Sequence, residues 1–508
     1  MTIVAAAQPS IDRSDIVMID AWGPNGDYRT RNREVIKDTA GVTVAELSIV
    51  PPLFVNRTIS AQRKTRPLPV TDRRAALVEA AEIFSNSTIA GLGFDTYVAL
   101  ASRVSGLPIA ITRAGALDVA TALTRAFDAV RPAQPVGTAV DWREERTRVG
   151  SGVWVRRGEV FAVHASGNHS AEHGAWPQAL ALGFRVAVRP SRREPFTGHR
   201  VITALRAAGF RPEDVTYLPT DHTGADAIVR SADLSMVFGG QDVVNKYADD
   251  SAVFANGPGR TKILLTAEQD WREYVDVIVE SVGGLGGMAC QNASGVLYEG
   301  DPMPLAQAIA AQLSSITPRP ACDERAVLPT MAIDRARALA DHLAAKAAGA
   351  TPLLGAEQVV ADLGDGIAAL RPAVHVLRET NLSQLNTELP FPCVWVAPWS
   401  RTDGASALRN SLVLNAITAD DALIDDLLAE QTVTNLYRGH QPTFQMAPHI
   451  PHDGYLADFL MRNKGFIRDG DQSATHMEIE GNHRNGNEHH RFRPSQKRVP
   501  AQGGRRRR

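Results

Sequence analysis

The chain has 508 residues, of which 44% are hydrophobic and 22% are charged, and its formal net charge is −2. This balance is typical of a globular protein with enough apolar side chains for a core, and the length predicts about three domains. It argues against a small disulfide scaffold and a strongly basic nucleic-acid binder.

The cysteine content indicates a reducing compartment. There are only three cysteines, Cys290, Cys322 and Cys393, and so odd and sparse a count argues against a disulfide framework. The first fifteen residues lack a basic leader followed by an apolar segment. No apolar run approaches the roughly 18 residues needed to span a bilayer. We therefore expect a cytoplasmic protein without a membrane partner.

The first 150 residues are predicted to be helical after an irregular opening. Residues 72–84 and 114–130 space their apolar side chains at three and four, which is the helical period. The segment 105–108, Ser-Gly-Leu-Pro, separates the two helices.

From Gly152 the pattern changes to strands alternating with helices. A strand, turn and strand come first, and further strands and helices follow in alternation, which predicts βαβ units in a parallel, doubly wound sheet. A second α/β stretch runs from 261 to about 436. The alternating elements are the helices 175–182, 196–208 and 224–231 and the strands 184–188, 215–218 and 234–238.

The C-terminal tail has a composition of its own. Residues 468–508 hold ten Lys/Arg and five Asp/Glu, whereas the rest of the chain holds 44 basic and 51 acidic residues. With almost no apolar side chains, the tail is expected to be a disordered, solvated segment. Its last four arginines leave contact with an acidic partner open, but nucleic-acid binding is not expected of the acidic body.

Cys290 is the strongest candidate for a reactive group. A free cysteine taken alone is more often a small buried hydrophobe. Here, however, a predicted helix over 271–282 leads into four glycines, at 283, 284, 286 and 287, just before the cysteine. Glycines allow the backbone to approach a ligand closely and supply N–H donors near the sulfur. The pattern favours a nucleophilic thiolate, whereas Cys322 and Cys393 are predicted to be structural.

A second motif competes for the function. His169-Ser-Ala-Glu172-His173 resembles the H-x-x-E-H pattern of one zinc peptidase group. That interpretation needs a helix already formed at His169 and a third ligand on a later helix. No downstream glutamate motif supplies one, and five-residue patterns recur by chance, so zinc hydrolysis remains the lesser alternative.

Several motifs in order resemble the aldehyde dehydrogenase superfamily between about Gly152 and Lys464. Each is weak alone, but their order and spacing relative to Cys290 are close to those of the family. They are Ser166-Gly167-Asn168 (resembling Pro-x-Asn), Val188-Arg189-Pro190-Ser191 (Lys-Pro-Ser), Phe238-Gly239-Gly240 (Phe-Thr-Gly-Ser) and Glu388-Leu-Pro-Phe391-Pro392 (Glu-x-Phe-Gly-Pro).

This resemblance implies an α/β fold with two Rossmann-type domains and a small β oligomerisation arm. The cofactor domain would comprise 1–130 and 150–256, the catalytic domain 257–440, and the arm 131–150 with 441–467. Cys290 would be the nucleophile and Asn168 an oxyanion donor. The nicotinamide cofactor would be held at the adenosine ribose by Arg189, Ser191 and Arg192, at the diphosphate by Gly239 and Gly240, and at the nicotinamide ribose by Glu388 and Phe391.

One departure from the family bears on the reaction. Hydrolytic members carry a general-base Glu where this chain has Asn256, and an amide cannot take a proton from water. A cysteinyl thioester would then persist and exchange with a thiol, as in acyl-CoA-linked members and the fatty-acyl-CoA reductases of bacterial bioluminescence, which the run 232–240 also resembles. The alternative is that another carboxylate, such as Glu172, replaces the missing base.

A second departure bears on the cofactor. Arg189, Arg192 and Arg193 stand where the family has Lys and often an acidic ribose ligand. Guanidinium groups fit a 2′-phosphate, whereas an acid fits a free 2′-hydroxyl. We therefore expect NADPH rather than NADH, although a solvated loop remains an equal explanation for Arg193 alone.

The sequence thus predicts an oxidoreductase that interconverts an aldehyde and an acyl thioester through Cys290, chiefly in the reductive direction. CoA, a carrier protein or an acyl-activating subunit would deliver the acyl group, and the enzyme would be a homodimer or homotetramer without a metal. The alternatives are a hydrolytic aldehyde dehydrogenase and a non-catalytic assembly partner that keeps the fold.

Overall fold

The computed structural model describes residues 16–447 and 449–468. The predicted disordered tail lies outside the described residues from 469 onward. The strands are β1 Val17–Ile19, β2 Ala21–Gly23, β3 Gly26–Tyr28, β4 Arg33–Lys37, β5 Thr43–Ser48, β6 Ser151–Arg156, β7 Val160–His164, β8 Arg185–Arg189, β9 Val215–Tyr217, β10 Leu234–Phe238, β11 Val253–Asn256, β12 Lys262–Leu265, β13 Gly295–Tyr298, β14 Thr330–Ala332, β15 Thr351–Leu354, β16 Val360–Gly364, β17 Ile367–Leu370, β18 Ala373–Val376, β19 Cys393–Pro398, β20 Ser411–Ile417, β21 Val433–Arg438 and β22 Met461–Phe466. The α-helices are α1 Pro52–Lys64, α2 Val70–Asn86, α3 Phe94–Ser105, α4 Ile109–Ala129, α5 Pro177–Leu182, α6 Phe196–Ala207, α7 His222–Ser231, α8 Gln241–Tyr247, α9 Val275–Gly283, α10 Pro302–Leu313, α11 Ile333–Lys346, α12 Leu382–Leu385, α13 Asp421–Ala429 and α14 Leu456–Leu460.

The first large sheet has seven strands in the order β11-β10-β7-β8-β9-β2-β3. The five from β11 to β9 are parallel, and the β2–β3 hairpin adds antiparallel to β9. All five residues of β7 are buried, as expected of a parallel strand covered on both faces. Helices α2, α3, α4 and α6 share the core on one face, and α1 and α7 share the core on the other. The doubly wound sheet predicted from 152 onward is therefore present.

The opening of the chain differs from its prediction. Instead of an irregular segment, it contains β1 to β5, and β1, β5 and β4 form a separate three-stranded sheet. β2 joins the first large sheet by pairing Trp22 with Tyr217, nearly 200 residues away in the sequence. Strands of three to six residues carry too little alternation to be recognised locally, and this one is stabilised by a distant partner.

The second large sheet has the order β15-β18-β19-β13-β12-β20-β21. Its strands are parallel except β15, which pairs antiparallel with β18 at one edge. Helices α9 and α10 share the apolar core on one face, and α11 and α13 share the core on the other. A further small sheet, β14-β17-β16, packs beside α11.

The predicted β arm is only partly as expected. β22 lies in the segment 441–467, but its antiparallel partner is β6, from Ser151 to Arg156, and not a strand within 131–150. Residues 131–150 form turns, two short 3₁₀ helices, Arg131–Ala133 and Glu145–Thr147, and a single parallel bridge from Ala139 to Val153 of β6. Proline and glycine at 132, 135 and 137 interrupt a strand there.

Among the described residues, no single helix is long and apolar enough to span a bilayer. One pair, Phe94–Ser105 with Ile109–Ala133, passes on length and composition when taken together, and it is bent by 118°.

Candidate active site

A cavity of about 640 Å³ lies where the two large sheets face each other. One wall consists of residues that follow β7, β8, β10 and β11, at the carboxyl ends of parallel strands, where ligands bind in open α/β sheets. The other wall consists of the glycine-rich turn before Cys290 and the segment 388–391. Cys290, Asn168, Asn256, Glu388 and Phe391, predicted from separate motifs, all line this one cavity.

The glycine-rich turn gives the nucleophile its position. After α9 the backbone has positive φ at three successive residues, Leu285, Gly286 and Gly287. A Cβ on Gly287 would lie 2.4 Å from the backbone nitrogen of Pro392, so only glycine fits between the turn and that segment. Cys290 follows as a half-buried free cysteine, and Thr261 Oγ1 donates a hydrogen bond to its carbonyl oxygen at 3.0 Å.

Gly259 contacts the nucleophile's backbone directly. A Cβ at this position would lie 1.7 Å from the Cys290 carbonyl oxygen, with no side chain that could move away. We expect Gly259→Ala to displace Cys290 and lower kcat/KM by at least ~10²-fold, since a 1 Å misplacement can have that effect. Gly93→Ala, where nothing lies within 4 Å, is the matched control. Steady-state kinetics and circular dichroism of both variants check the prediction, which is wrong if they behave alike.

His452 is the base that the sequence did not reveal. Its Nε2 lies 3.2 Å from the Cys290 Sγ, and its Nδ1 lies 2.5 Å from Asp453 Oδ2. The Asp453 carboxylate fixes the proton on Nδ1, which leaves Nε2 free to accept the thiol proton. Asn435 of β21 donates to the His452 carbonyl at 2.6 Å and holds this loop in place.

The Cys290 thiol needs the contact with His452 in order to ionise. Burial raises the pKa of the Cys290 thiol, and the charge and hydrogen bond of His452 oppose that rise. Burial alone would lower the pKa of His452, but the charge of Cys290 and the hydrogen bond to Asp453 outweigh it and raise the pKa well above its usual value. The sulfur therefore depends on His452 to lose its proton, and Asp453 stabilises the imidazolium that results.

Asn168 is oriented as an oxyanion donor would be. The hydroxyl of Ser166 donates to its Oδ1, and its Nδ2 donates to the carbonyl of Met288 at 3.2 Å. These two contacts turn the NH₂ group toward the wall that carries Cys290. The second N–H of this amide is a candidate donor to an oxyanion in the cavity that Asn168 shares with Cys290.

Asn256 lines the cavity as the motif predicts, but its amide cannot act as a base. It ends β11, in parallel register with Phe238 of β10, and only 5% of its surface is exposed. Its Nδ2 is buried and has no hydrogen-bond partner among the described residues. This amide is available to donate to a ligand in the cavity.

Glu172 is a second carboxylate in the same cavity. It lies on the 3₁₀ turn Ser170–Gly174, and its buried Oε2 has no hydrogen-bond partner within 16–447 and 449–468. Burial raises the pKa of this carboxyl to about 7, against the hydrogen bonds from Ser166 and the charge of His452. A group with such a pKa can both lose and take a proton near neutral pH.

The histidines on either side of Glu172 do not form a zinc site. The segment is a 3₁₀ turn, whereas the peptidase motif needs an α-helix to bring both imidazoles to one face. Burial lowers the pKa of His169 and of His173 to about 4. His173 accepts a hydrogen bond from Trp176 at 3.2 Å. Within the described part of the chain, no three His, Cys, Asp or Glu side chains could hold a metal together.

The other end of the cavity has groups that fit a nicotinamide dinucleotide. Ser191, Arg193, Gly239, Gly240 and Glu388 line it. A carboxylate and a hydroxyl suit ribose hydroxyls, and a guanidinium with backbone N–H groups suits phosphate. The Glu388 carboxylate is held by the backbone N–H of Arg260 at 2.7 Å, and Arg260 adopts a positive φ to reach it.

Two of the arginines expected at the cofactor do not line the cavity. Arg192 pairs with Glu34, with Nε 3.2 Å from the carboxylate. Arg189 ends β8, and its buried Nε has no hydrogen-bond partner among the described residues. Arg193, in contrast, does line the cavity. Burial, and to a lesser extent the charge of Arg193, lowers the pKa of Arg335.

Comparison with known proteins agrees with this geometry. Residues 53–455 match the aldehyde dehydrogenase family. No curated protein sequence gives a match. Among solved structures, the NAD-dependent aldehyde dehydrogenase from Sinorhizobium meliloti is 17% identical, with a TM-score of 0.76 over 92% of this chain and 98% of that one.

Two further structures are similar. A mutant 1-pyrroline-5-carboxylate dehydrogenase from Thermus thermophilus is 15% identical, with a TM-score of 0.75 over 92% of this chain and 99% of that one. A 3,6-anhydro-L-galactose dehydrogenase in complex with NADP is 17% identical, with a TM-score of 0.73 over 88% and 99%. These likenesses confirm the predicted fold.

Proposed function

The chain belongs to the aldehyde dehydrogenase family, oxidoreductases that act on aldehyde groups with a nicotinamide cofactor, and we propose that it oxidises an aldehyde through a Cys290 thioester that is hydrolysed to the acid. The observation that carries this proposal is the 3.2 Å contact between the Cys290 Sγ and His452 Nε2. A thiol next to a base held by a carboxylate is an activated nucleophile.

In the first half of the reaction Cys290 forms the C–S bond. His452 takes the thiol proton as the sulfur attacks the aldehyde carbon, and Asp453 stabilises the imidazolium. Asn168 Nδ2 and the backbone N–H of Cys290 donate to the developing oxyanion, and loss of one such donor typically has an effect of about 3–4 kcal/mol. When bound, a nicotinamide cofactor supplies the hydride acceptor that turns this adduct into the thioester. Glu388, Ser191 and Arg193 would hold it.

Hydrolysis of the Cys290 thioester is favoured because the cavity contains a base, even though the amide of Asn256 cannot act as one. The expectation of a persistent thioester depended on the missing glutamate alone. Glu172 lines the cavity with Cys290 and takes no proton in the first half of the reaction, so a proton acceptor for water is available. The S. meliloti, T. thermophilus and anhydrogalactose enzymes are all named as dehydrogenases, which is the same direction of reaction.

Exchange with a thiol, including the reductive formation of an aldehyde from an acyl thioester, is the second candidate function. The amide of Asn256 in the cavity favours it. To distinguish the two, enzyme, NADP⁺ and a panel of aliphatic and aryl aldehydes are mixed with and without CoA, and the products are separated. Acid without CoA supports the hydrolytic proposal. Product formed only as acyl-CoA, or aldehyde formed from acyl-CoA and NADPH at a comparable rate, overturns it.

We propose NADP as the preferred cofactor, with Arg193 in place of Arg192 at the 2′-phosphate. Arg193, which lines the cavity, supports this, because a guanidinium group attracts a phosphate more than a hydroxyl. Arg193→Ser should raise the KM for NADP⁺ ~10–100-fold, the equivalent of a charged hydrogen bond, and leave that for NAD⁺ nearly unchanged. Arg325→Ser, whose pair with Asp323 is exposed, is the control. Equal effects on both cofactors would contradict the assignment.

The cellular context stays a proposal as well. All three cysteines are free, in keeping with a cytoplasmic enzyme. Exposed apolar side chains gather near the β6–β22 pair, namely Val140, Trp142, Val149 and Phe466, and a homodimer or homotetramer would cover them. CoA, a carrier protein or an acyl-activating subunit would be a partner only under the second candidate function.

A further inference from the structure

We propose that Glu172 is the general base that activates water for hydrolysis of the Cys290 thioester, which divides the acid–base work between Glu172 and His452. This inference rests on the proposed function, since it assigns a residue to the second half of that reaction. Glu172 stands on a different chain segment from the position where the family carries its base, which is Asn256 here.

The position of Glu172 supports the assignment. Its turn, Ser170–Gly174, directly follows the segment that carries Asn168, so the carboxylate and the oxyanion donor are held by one short piece of chain. Glu172 lines the same cavity as Cys290 and His452, and its charge is close enough to raise the pKa of the Cys290 thiol. The buried Oε2 has no partner among the described residues, so it is free to accept a hydrogen bond from water.

His452 is poorly placed for this step because of what it does in the first. It has taken the proton of the Cys290 thiol, and Asp453, 2.5 Å from its Nδ1, stabilises the protonated ring. A protonated imidazole cannot accept a second proton. It can, however, donate to the sulfur when the thioester breaks, and this makes the thiolate a better leaving group.

The step then balances as follows. Glu172 takes one proton from water as the water oxygen bonds to the thioester carbon, and Asn168 donates to the oxyanion that forms. The carbonyl re-forms, the C–S bond breaks, and the electron pair stays on sulfur beside protonated His452. The carboxylic acid leaves, and Glu172 returns its proton to solvent. One water is consumed and no oxidant is needed.

The groups around Glu172 allow it to be ionised near neutral pH. Burial raises its pKa to about 7, and the neighbouring Ser166 and the charge of His452 lower it to a lesser extent. Cys290 is acylated and uncharged when Glu172 acts, and Asp453, next to His452, is the nearby negative group. His169 and His173, beside it in sequence, have pKa values of about 4 and are neutral. The base form increases as the pH rises through about 7.

Glu172→Gln tests the assignment by separating thioester formation from hydrolysis. Rapid mixing of the enzyme with aldehyde and NADP⁺ should give a full burst of NADPH, one per Cys290. Steady-state turnover should then fall ~10²–10⁴-fold, the usual contribution of a general base. Intact-protein mass spectrometry should show the acyl group on Cys290. Hydroxylamine, which attacks as a neutral amine without a base, should discharge this acyl-enzyme at the wild-type rate. Glu357→Gln, at an exposed glutamate, is the matched control.

The outcomes separate this inference from the proposed function. Steady-state turnover of Glu172→Gln near the wild-type value overturns the role of Glu172 alone, and so does loss of the burst together with turnover. Absence of NADPH formation in the wild type overturns the proposed function itself. The wild-type steady-state rate should rise with pH around a midpoint of about 7, and the variant should lack this rise. If Glu172→Gln does not fold, Glu172→Asp, with its carboxylate drawn back by one methylene, should keep the burst and slow turnover, and unchanged turnover again overturns the role.

Discussion

Replacing Cys290 with Ala is expected to abolish aldehyde-dependent reduction of NADP⁺, lowering kcat by at least ~10⁴-fold, as loss of a catalytic nucleophile does elsewhere. No other thiol can take its place. Cys393 lies in the same cavity, but burial raises its pKa to about 12, and Cys322 is exposed outside it. NADPH formation is followed by absorbance, and cofactor binding by quenching of tryptophan fluorescence.

The control for this prediction is Cys322→Ala, which should retain full activity. Unchanged cofactor binding by Cys290→Ala would show that the cavity is intact and that the loss is chemical. Retention of more than about a tenth of the wild-type activity by Cys290→Ala would refute the role of the thiol. A wild type that neither binds the cofactor nor reacts with thiol probes would instead point to the non-catalytic assembly partner.

Replacing His452 with Ala is expected to lower kcat/KM ~10²–10⁴-fold, because the buried thiol loses the group that accepts its proton. The same change should shift the pH dependence of Cys290 alkylation by iodoacetamide to higher pH, since the thiolate would form only as the pH approaches the raised pKa of the free thiol. Asp453→Asn should have a smaller effect in the same direction, as Asp453 acts through His452.

The alkylation profile distinguishes a base from a merely structural histidine. A variant that loses activity while its alkylation profile stays where it was would contradict activation of the thiol by His452. His222→Ala, at an exposed histidine at the start of α7, should change neither measurement. The NADPH burst should slow in His452→Ala, whereas in Glu172→Gln only the turnover after the burst should slow.

Much of the fold could be predicted because its most regular helices and strands are specified by residues that are neighbours in the sequence. The strand over 234–238 and the helix over 196–208 agree with β10 and α6 to within one residue. α2 and α4 extend the predicted helices by two to five residues at their N-terminal ends, where prolines at 69 and 108 begin them. β1 to β5 were missed since their stability comes from partners distant in sequence, and α8 was missed since seven residues carry too little periodicity.

A site residue could be predicted where both its chemical type and the conformation required of the neighbouring backbone are visible in the sequence. Cys290 follows glycines that the turn requires at positive φ, so the sequence showed both the nucleophile and its setting. His452 could not be found in this way. It lies 162 residues from Cys290, in a loop after β21, and only the folding of the second large sheet, which contains β13 and β21, brings them together. The signal that was present is the dipeptide His452-Asp453, a base next to its own carboxylate. The pairing of Arg192 with Glu34 was likewise invisible, because Glu34 lies 158 residues earlier.

Asn168, Cys290 and His452 stand on three of the chain segments that line the cavity, one after β7, one after α9 and one after β21. No fragment that contains only one of the large sheets holds these three side chains together. During refolding, catalysis should therefore be the last property to return, after secondary structure and after either half has regained its packed core, because it requires both large sheets and the long-range contacts between them. Enzyme activity thus serves as a stringent reporter of complete assembly, more so than any spectroscopic measure of helix or strand content.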